Sequence, residues 1–375
     1  MRFHWENILR EVTGNTMILA DIIRLAERLA PPFLALEGDP IGLQIGNPDT
    51  EVQKVAVCLD ATGPVLLEAG REGAEAIFSH HPLIYAPVTS LAENTPQGRL
   101  LSEFVRSGIA LYTLHTNWDV AIGGLNDALA QMLGLGEVEP LEITHRHKYF
   151  KVAVFTPEEA EEAVRIAAGN AGAGVIGNYS HCSFRCAGTG TFRPLEGADP
   201  SVGQVGSLEQ VQELKLEFMV AEGFLRDVLE AVVRVHPYEE VAYDAYEVLY
   251  DGLKFGIGRL GRLEQAVPYR IFKDTIAQTL GNPPLRCVGE DARMIKTVAV
   301  CGGSGGHLVE LAATKGADVL VTSEVKQHQF ILAQQLGIAV VDATHQATES
   351  LGMHHFARRL AREVEGEVEV VFIGE

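Results

Sequence analysis

Cationic side chains are scarce: 30 Lys and Arg face 50 Asp and Glu, a formal charge of −20 with histidine neutral. The average surface field therefore repels phosphate backbones and anionic lipid, so a nucleic-acid polymer or a membrane surface is a poor partner. A small anionic substrate stays open, because bound metal ions or a local basic pocket override the global field. Cysteine is sparse as well. Cys58, Cys182, Cys186, Cys287 and Cys301 are odd in number and thinly spread, unlike a disulfide-stapled secreted domain, and they fit a reducing cytoplasm. Long apolar runs are missing: nothing approaches the ~18 residues of a membrane span. The opening MRFHWENILREVTGN lacks the basic-then-apolar order of a signal peptide. What is present is 375 residues, 47% of them hydrophobic, enough for two or three domains at about 150 residues each.

The chain repeats itself. Val55-Ala56-Val57-Cys58 recurs as Val298-Ala299-Val300-Cys301, and Gly73–Ser79 recurs in register as Gly316–Thr322. Gly108-Ile109-Ala110-Leu111-Tyr112 matches Gly337-Ile338-Ala339-Val340-Val341. Short apolar runs bounded by Gly, Ser or Asp, with helical stretches between them, have the rhythm of βαβ units, and nearly continuous apolar strands imply parallel-rich sheets covered on both faces. Reactive residues should then gather at the strands' carboxyl ends. The expected fold is α/β: a duplicated three-layer core whose halves are residues 17–144 and 251–375. Residues 1–16 are read as an N-terminal extension, and the first amphipathic helix is expected from about Met17 to a stop at Pro31-Pro32. Between the halves, residues 145–250 read in the order βαββαβ, an inserted ferredoxin-like domain.

Three motifs carry chemistry. Ser79-His80-His81-Pro82-Leu83 follows an apolar run, so two imidazoles sit at a strand end; the plain alternative is a polar strand cap. His115-Thr116-Asn117-Trp118-Asp119 and His345-Gln346-Ala347-Thr348-Glu349 both read His-x-x-x-carboxylate, which a helix would bring to one face. Duplication puts these pieces at comparable positions, so His80, His81, Asp119, His345 and Glu349 can face one crevice. Three imidazoles and two carboxylates suit two divalent ions of zinc, iron or manganese. His115 is a further ligand, an orienting partner or a proton-transfer group. Gly302-Gly303-Ser304-Gly305-Gly306 is either a tight turn or a phosphate cradle lacking the P-loop lysine. His181-Cys182-x-x-x-Cys186 and His236-Pro237-Tyr238-Glu239-Glu240 read as structural.

Together, Ser79–Leu83, Thr116–Asp127 and Asp342–Glu349 resemble the NGG-interacting-factor-three-like family, dinuclear metal-centre proteins also catalogued as GTP cyclohydrolase I type 2 homologues. Gly177–Phe184 and His236–Glu240 resemble its long bacterial members, whose insert is PII-like. The resemblance implies that His80, His81, Asp119, His345 and Glu349 are the metal ligands, with Glu349 bridging, and that the protein is a ring-shaped homohexamer. It implies a hydrolase in which a bridging hydroxide opens the imidazole ring of GTP, a small phosphorylated substrate. A non-catalytic metal-binding regulatory or metal-handling protein is the alternative. Gly38-Asp39-Pro40-Ile41, Ser323-Glu324 and Thr344 depart from the family's pattern, which implies a different pocket wall.

Overall fold

The computed structural model describes residues 17–146, 148–249 and 252–374; the expected extension 1–16 lies outside them. The chain forms two compact units, divided at His145/Arg146 and at Lys254/Phe255. The helix expected near Met17 is Leu19–Leu29, burying Leu19, Ile22, Ala26 and Leu29 and ending before Pro31-Pro32.

In the first unit, the repeated apolar runs are parallel strands. Lys54–Cys58, Ala76–Ser79 and Ala110–Thr113 form one set, and Met294–Ser304, Val319–Ser323 and Ala339–Asp342 the other. Their registers correspond, with Val55 opposite Ala76 and Val298 opposite Val319. The glycines flanking the runs are helix stops: Gly73, Gly108, Gly316 and Gly337 have φ between +70° and +77°, a left-handed conformation that a Cβ disfavours.

Each set is then extended by a strand from the other half. The first sheet runs Gly42–Ile45, Ala110–Thr113, Ala76–Ser79, Lys54–Cys58, Glu369–Phe372, so its last member comes from the C-terminal end. The second runs Arg286–Val288, Ala339–Asp342, Val319–Ser323, Met294–Ser304, Lys254–Pro268, Gly136–Arg146. Between the sheets, the helix His345–Glu363 packs against strands of both and against the helix Leu125–Met132. Met353, Phe356 and Leu360 join the core of Phe78, Tyr112 and Trp118, while Ala347 and Leu351 pack on the core of Val298 and Val300. Each large apolar side chain buried this way stabilises by roughly 1.5–3 kcal/mol, and this one helix ties both sheets' burial together. Arg259, 2% exposed, adds a polar lock. Its guanidinium donates two 2.8 Å bonds to Asp127 and others to the carbonyls of Ala121, Gly256 and Gly258.

The second unit runs strand Tyr149–Thr156, helix Glu161–Asn170, strands Ser183–Phe192 and Glu209–Ala221, helix Leu225–Val235 and strand Tyr243–Val248. The sheet is antiparallel, ordered Ser183–Phe192, Glu209–Ala221, Tyr149–Thr156, Tyr243–Val248. Val164, Ala168, Val228 and Val232 of the helices cover Val152, Val154, Leu216 and Phe218 on one sheet face.

Candidate metal centre

The strand Ala76–Ser79 is buried throughout, and the chain turns sharply after it. The His81 amide donates to the Leu59 carbonyl at 3.0 Å, and the Ser79 hydroxyl donates to the His81 carbonyl at 2.9 Å. The turn defeats the alternation of side chains along a strand, and the two imidazole centroids lie 5.0 Å apart. The neighbouring strand Ala110–Thr113 leads to His115, whose ring is 5.1 Å from that of His80, and the short helix Thr116–Val120 carries Asp119. From the other half, His345 opens the helix His345–Glu363, so Glu349 stands one turn further on the same face.

Glu349 is the meeting point. Its Oε2 lies 3.0 Å from Nε2 of both His81 and His345, and its Oε1 lies 3.8 Å from Nε2 of His80, which is 3.6 Å from Asp119 Oδ1. Even so, Glu349 Oε2, His80 Nε2 and Asp119 Oδ1 are buried without a hydrogen-bond partner: at Oε2 the atoms are close but not aligned as donor and acceptor. Atoms about 2.0–2.1 Å from a shared ion, at right or tetrahedral angles, sit about 2.8–3.4 Å apart. Leaving each such atom unpaired costs about 1–3 kcal/mol, a cost that a divalent cation removes. Ligand atoms of His80, His81 and His115, and those of His81, His345 and Glu349, lie within 4.8 Å of one another, so each set could hold a metal ion.

The remaining imidazole nitrogens are held from behind. His81 Nδ1 is 2.8 Å from Asp60 Oδ1, His115 Nδ1 is 2.7 Å from Asp39 Oδ1, and His80 Nδ1 is 3.1 Å from the Leu114 carbonyl. A carboxylate or carbonyl there fixes Nδ1 as the donor and leaves Nε2 free as a ligand. His345 Nδ1 lies 3.2 Å from Glu324 Oε1, outside hydrogen-bond geometry. Burial opposes a charge on His81, but Asp60 and Glu349 outweigh it and raise the ring to about 10. Burial raises Asp119 to about 6. Burial pushes Glu349 upward too, but His345, His80 and His81 overcome it and hold the carboxyl well below its usual range. A pocket that stabilises positive charge on its own histidines is one that attracts cations.

The glycine-rich loop has a different task from phosphate binding. The amides of Gly302, Gly303 and Gly305 donate to Asn126, Thr348 and Thr322. A Cβ on Gly303 would lie 2.2 Å from Glu349 Oε1, so the glycine makes room for the carboxylate. His181, Cys182 and Cys186 enter no candidate metal group among the described residues. Sequence reading missed Asp60 and the use of Asp39, which it treated only as a departure. A carboxylate 76 positions from His115 has no periodic signal, although Asp39 stood in a segment already singled out.

The family model of Duf34/NIF3 (NGG1p interacting factor 3) matches residues 17–375. The chain belongs to the DUF34/NIF3 family. Among its relatives, a Halalkalibacterium halodurans protein is 40% identical over 352 residues, covering 93% of this chain and 95% of its own. A Bacillus subtilis protein is 43% identical over 326 residues, 87% of each chain. Both are named GTP cyclohydrolase 1 type 2 homolog. The crystal structure of a Bacillus cereus protein related to NIF3 superposes with a TM-score of 0.87 at 38% identity, covering 96% of this chain and 97% of that one. The mixed α/β architecture is therefore that of NIF3 proteins, and among the described residues no helix is long and apolar enough to cross a membrane.

Proposed function

We propose that this chain is a dinuclear divalent-metal hydrolase acting on a small phosphorylated substrate, GTP by the naming of its relatives. The observation that carries the reading is Glu349: one oxygen faces His80, whose Nε2 lies in turn 3.6 Å from Asp119, and the other faces His81 and His345. In this reading His80, Asp119 and Glu349 hold one ion, and His81, His345 and Glu349 the second, of zinc, iron or manganese. Divalent ions supply Lewis acidity and a water acidic enough to be a nucleophile near neutrality. Asp60 and Asp39 keep the His81 and His115 rings oriented. His115, with Nδ1 bonded to Asp39, presents Nε2 to accept or deliver a proton beside His80 and His81 or to act as an extra ligand. The same reading takes the core as duplicated, residues 145–250 as an inserted PII-like, ferredoxin-like domain, the assembly as a homohexamer and the compartment as the cytoplasm. It is supported by the recurring three-strand set, the βαββαβ order of the second unit and the five free cysteines.

Elemental analysis of protein reconstituted with each metal, together with formate release from GTP, tests the proposal. Two ions per chain and turnover are expected, with Glu349→Gln losing both; equal formate release by variant and wild type would overturn the catalytic claim. A metal-handling role is the second reading, favoured by the 25% and 34% exposure of the His81 and His345 side chains against 0% for His80, which leaves one ion open to exchange. Rapid exchange of a single ion without turnover on any nucleotide is its expected signature.

A further inference from the structure

The second unit contains a cavity of about 400 Å³, within the range of small-molecule sites. It lies where the strand ends at Phe155 and Phe192 meet the His236–Glu240 segment and the loop that follows Phe192. The wall is preformed by specific bonds. His236 lies 3.0 Å from the Phe155 carbonyl through Nε2 and accepts the Tyr238 amide at Nδ1. The Ser201 hydroxyl donates to the Pro237 carbonyl, and the Asp199 amide donates to Glu239. The motif that the sequence offered only as structural therefore anchors one side of a cavity.

Two features say what would fill it. The Tyr238 hydroxyl is buried beside the Glu213 carboxylate but not aligned with it as a donor, and burial and that carboxylate push the phenol up to about 12. Glu213 reaches the same space because position 190 is glycine: a Cβ there would lie 2.0 Å from Glu213 Oε2. Glu213, Glu239 and Glu240 face Arg193 alone among basic lining residues, while Phe155, Phe192 and Tyr238 supply aromatic surface. Carboxylates repel phosphates, and aromatic faces beside a carboxylate favour an organic cation with an apolar body.

We infer that this cavity is a binding site for a small organic ammonium ion, its charge on Glu213, its hydrogen bond completed by Tyr238 and its apolar body against Phe155 and Phe192. All the residues lining the cavity belong to the second unit. Calorimetric titration of the full chain with phenethylamine, and with the neutral 2-phenylethanol and anionic phenylacetate of similar shape, tests it. Phenethylamine should bind saturably, about ten-fold or more tighter than either analogue. Glu213→Gln should weaken it by about the same factor, and Val202→Trp, on the exposed loop lining the cavity, should abolish binding whether or not Glu213→Gln folds. Absence of saturable binding by millimolar phenethylamine overturns the inference. So does equal binding of phenylacetate, preferential binding of ATP, or binding unchanged in both folded variants.

Discussion

At the candidate metal centre each of His80, His81 and His115 is held at Nδ1, and the residues that do the holding can be tested apart from the proposed ligands. Asp60→Asn keeps the shape but removes the charge that orients His81. Metal affinity, measured by competition with a chromophoric chelator, should fall about 10–100-fold; undiminished affinity would mean that His81 needs no orienting carboxylate. Thr344 carries strain of a different kind. It sits at φ +67°, ψ 150° immediately before His345, a region that is nearly exclusive to glycine and costs about 1–3 kcal/mol. Thr344→Gly relieves this but adds roughly 0.5–1 kcal/mol of unfolded-state entropy. A net gain of about 1 kcal/mol in urea denaturation is therefore expected, and a loss would show that the threonine side chain makes a compensating contact.

Among the elements, helices and strands were legible where periodicity and punctuation agreed. Leu19–Leu29 followed its apolar spacing, and the parallel strands followed their repeated runs, because burial on both faces leaves no room for polar residues in such strands. His345 and Glu349 were legible for the same local reason, being one helical turn apart. Less legible was anything decided by contacts between distant segments. The glycine-rich loop read as either a tight turn or a phosphate cradle, and its engaged amides and the clearance Gly303 gives Glu349 favour the turn. The His236 segment is structural, as read, and its ring joins two backbone segments as a neutral imidazole. Burial pushes the His236 ring below its usual 6.5, against the pull of the Phe155 carbonyl. The unfolded chain therefore takes up the proton at higher pH than the folded one. The resulting stability is fully present above about 6.5 and is lost as pH falls through the lower folded value. Urea midpoints reported by the second unit's tyrosines should drop between about pH 7 and pH 5, and His236→Gln should flatten that slope; an unchanged slope would assign the effect to other groups.

Over the first unit as a whole, the two halves of the sequence depend on each other. Arg259 holds Asp127 and the Ala121 carbonyl from the other half, so Arg259→Leu leaves the Asp127 carboxylate, held by the Gly123 amide, without its counter-charge, and several carbonyls without that donor. A loss of about 3–5 kcal/mol is expected in chemical denaturation; a loss below about 1 kcal/mol would mark the lock as no stronger than a surface pair. The strand exchange makes a further demand. Glu369–Phe372 completes the first sheet beside Lys54–Cys58, so removing residues 369–375 should expose the edge at Lys54–Cys58 and promote self-association, visible by light scattering. The same exchange sets an order on synthesis. The strand that closes the first sheet leaves the ribosome after the other four strands of that sheet, and His345 and Glu349 emerge shortly before it. A nascent chain thus carries His80, His81 and Asp119 before Glu349, the residue proposed to join them, has emerged.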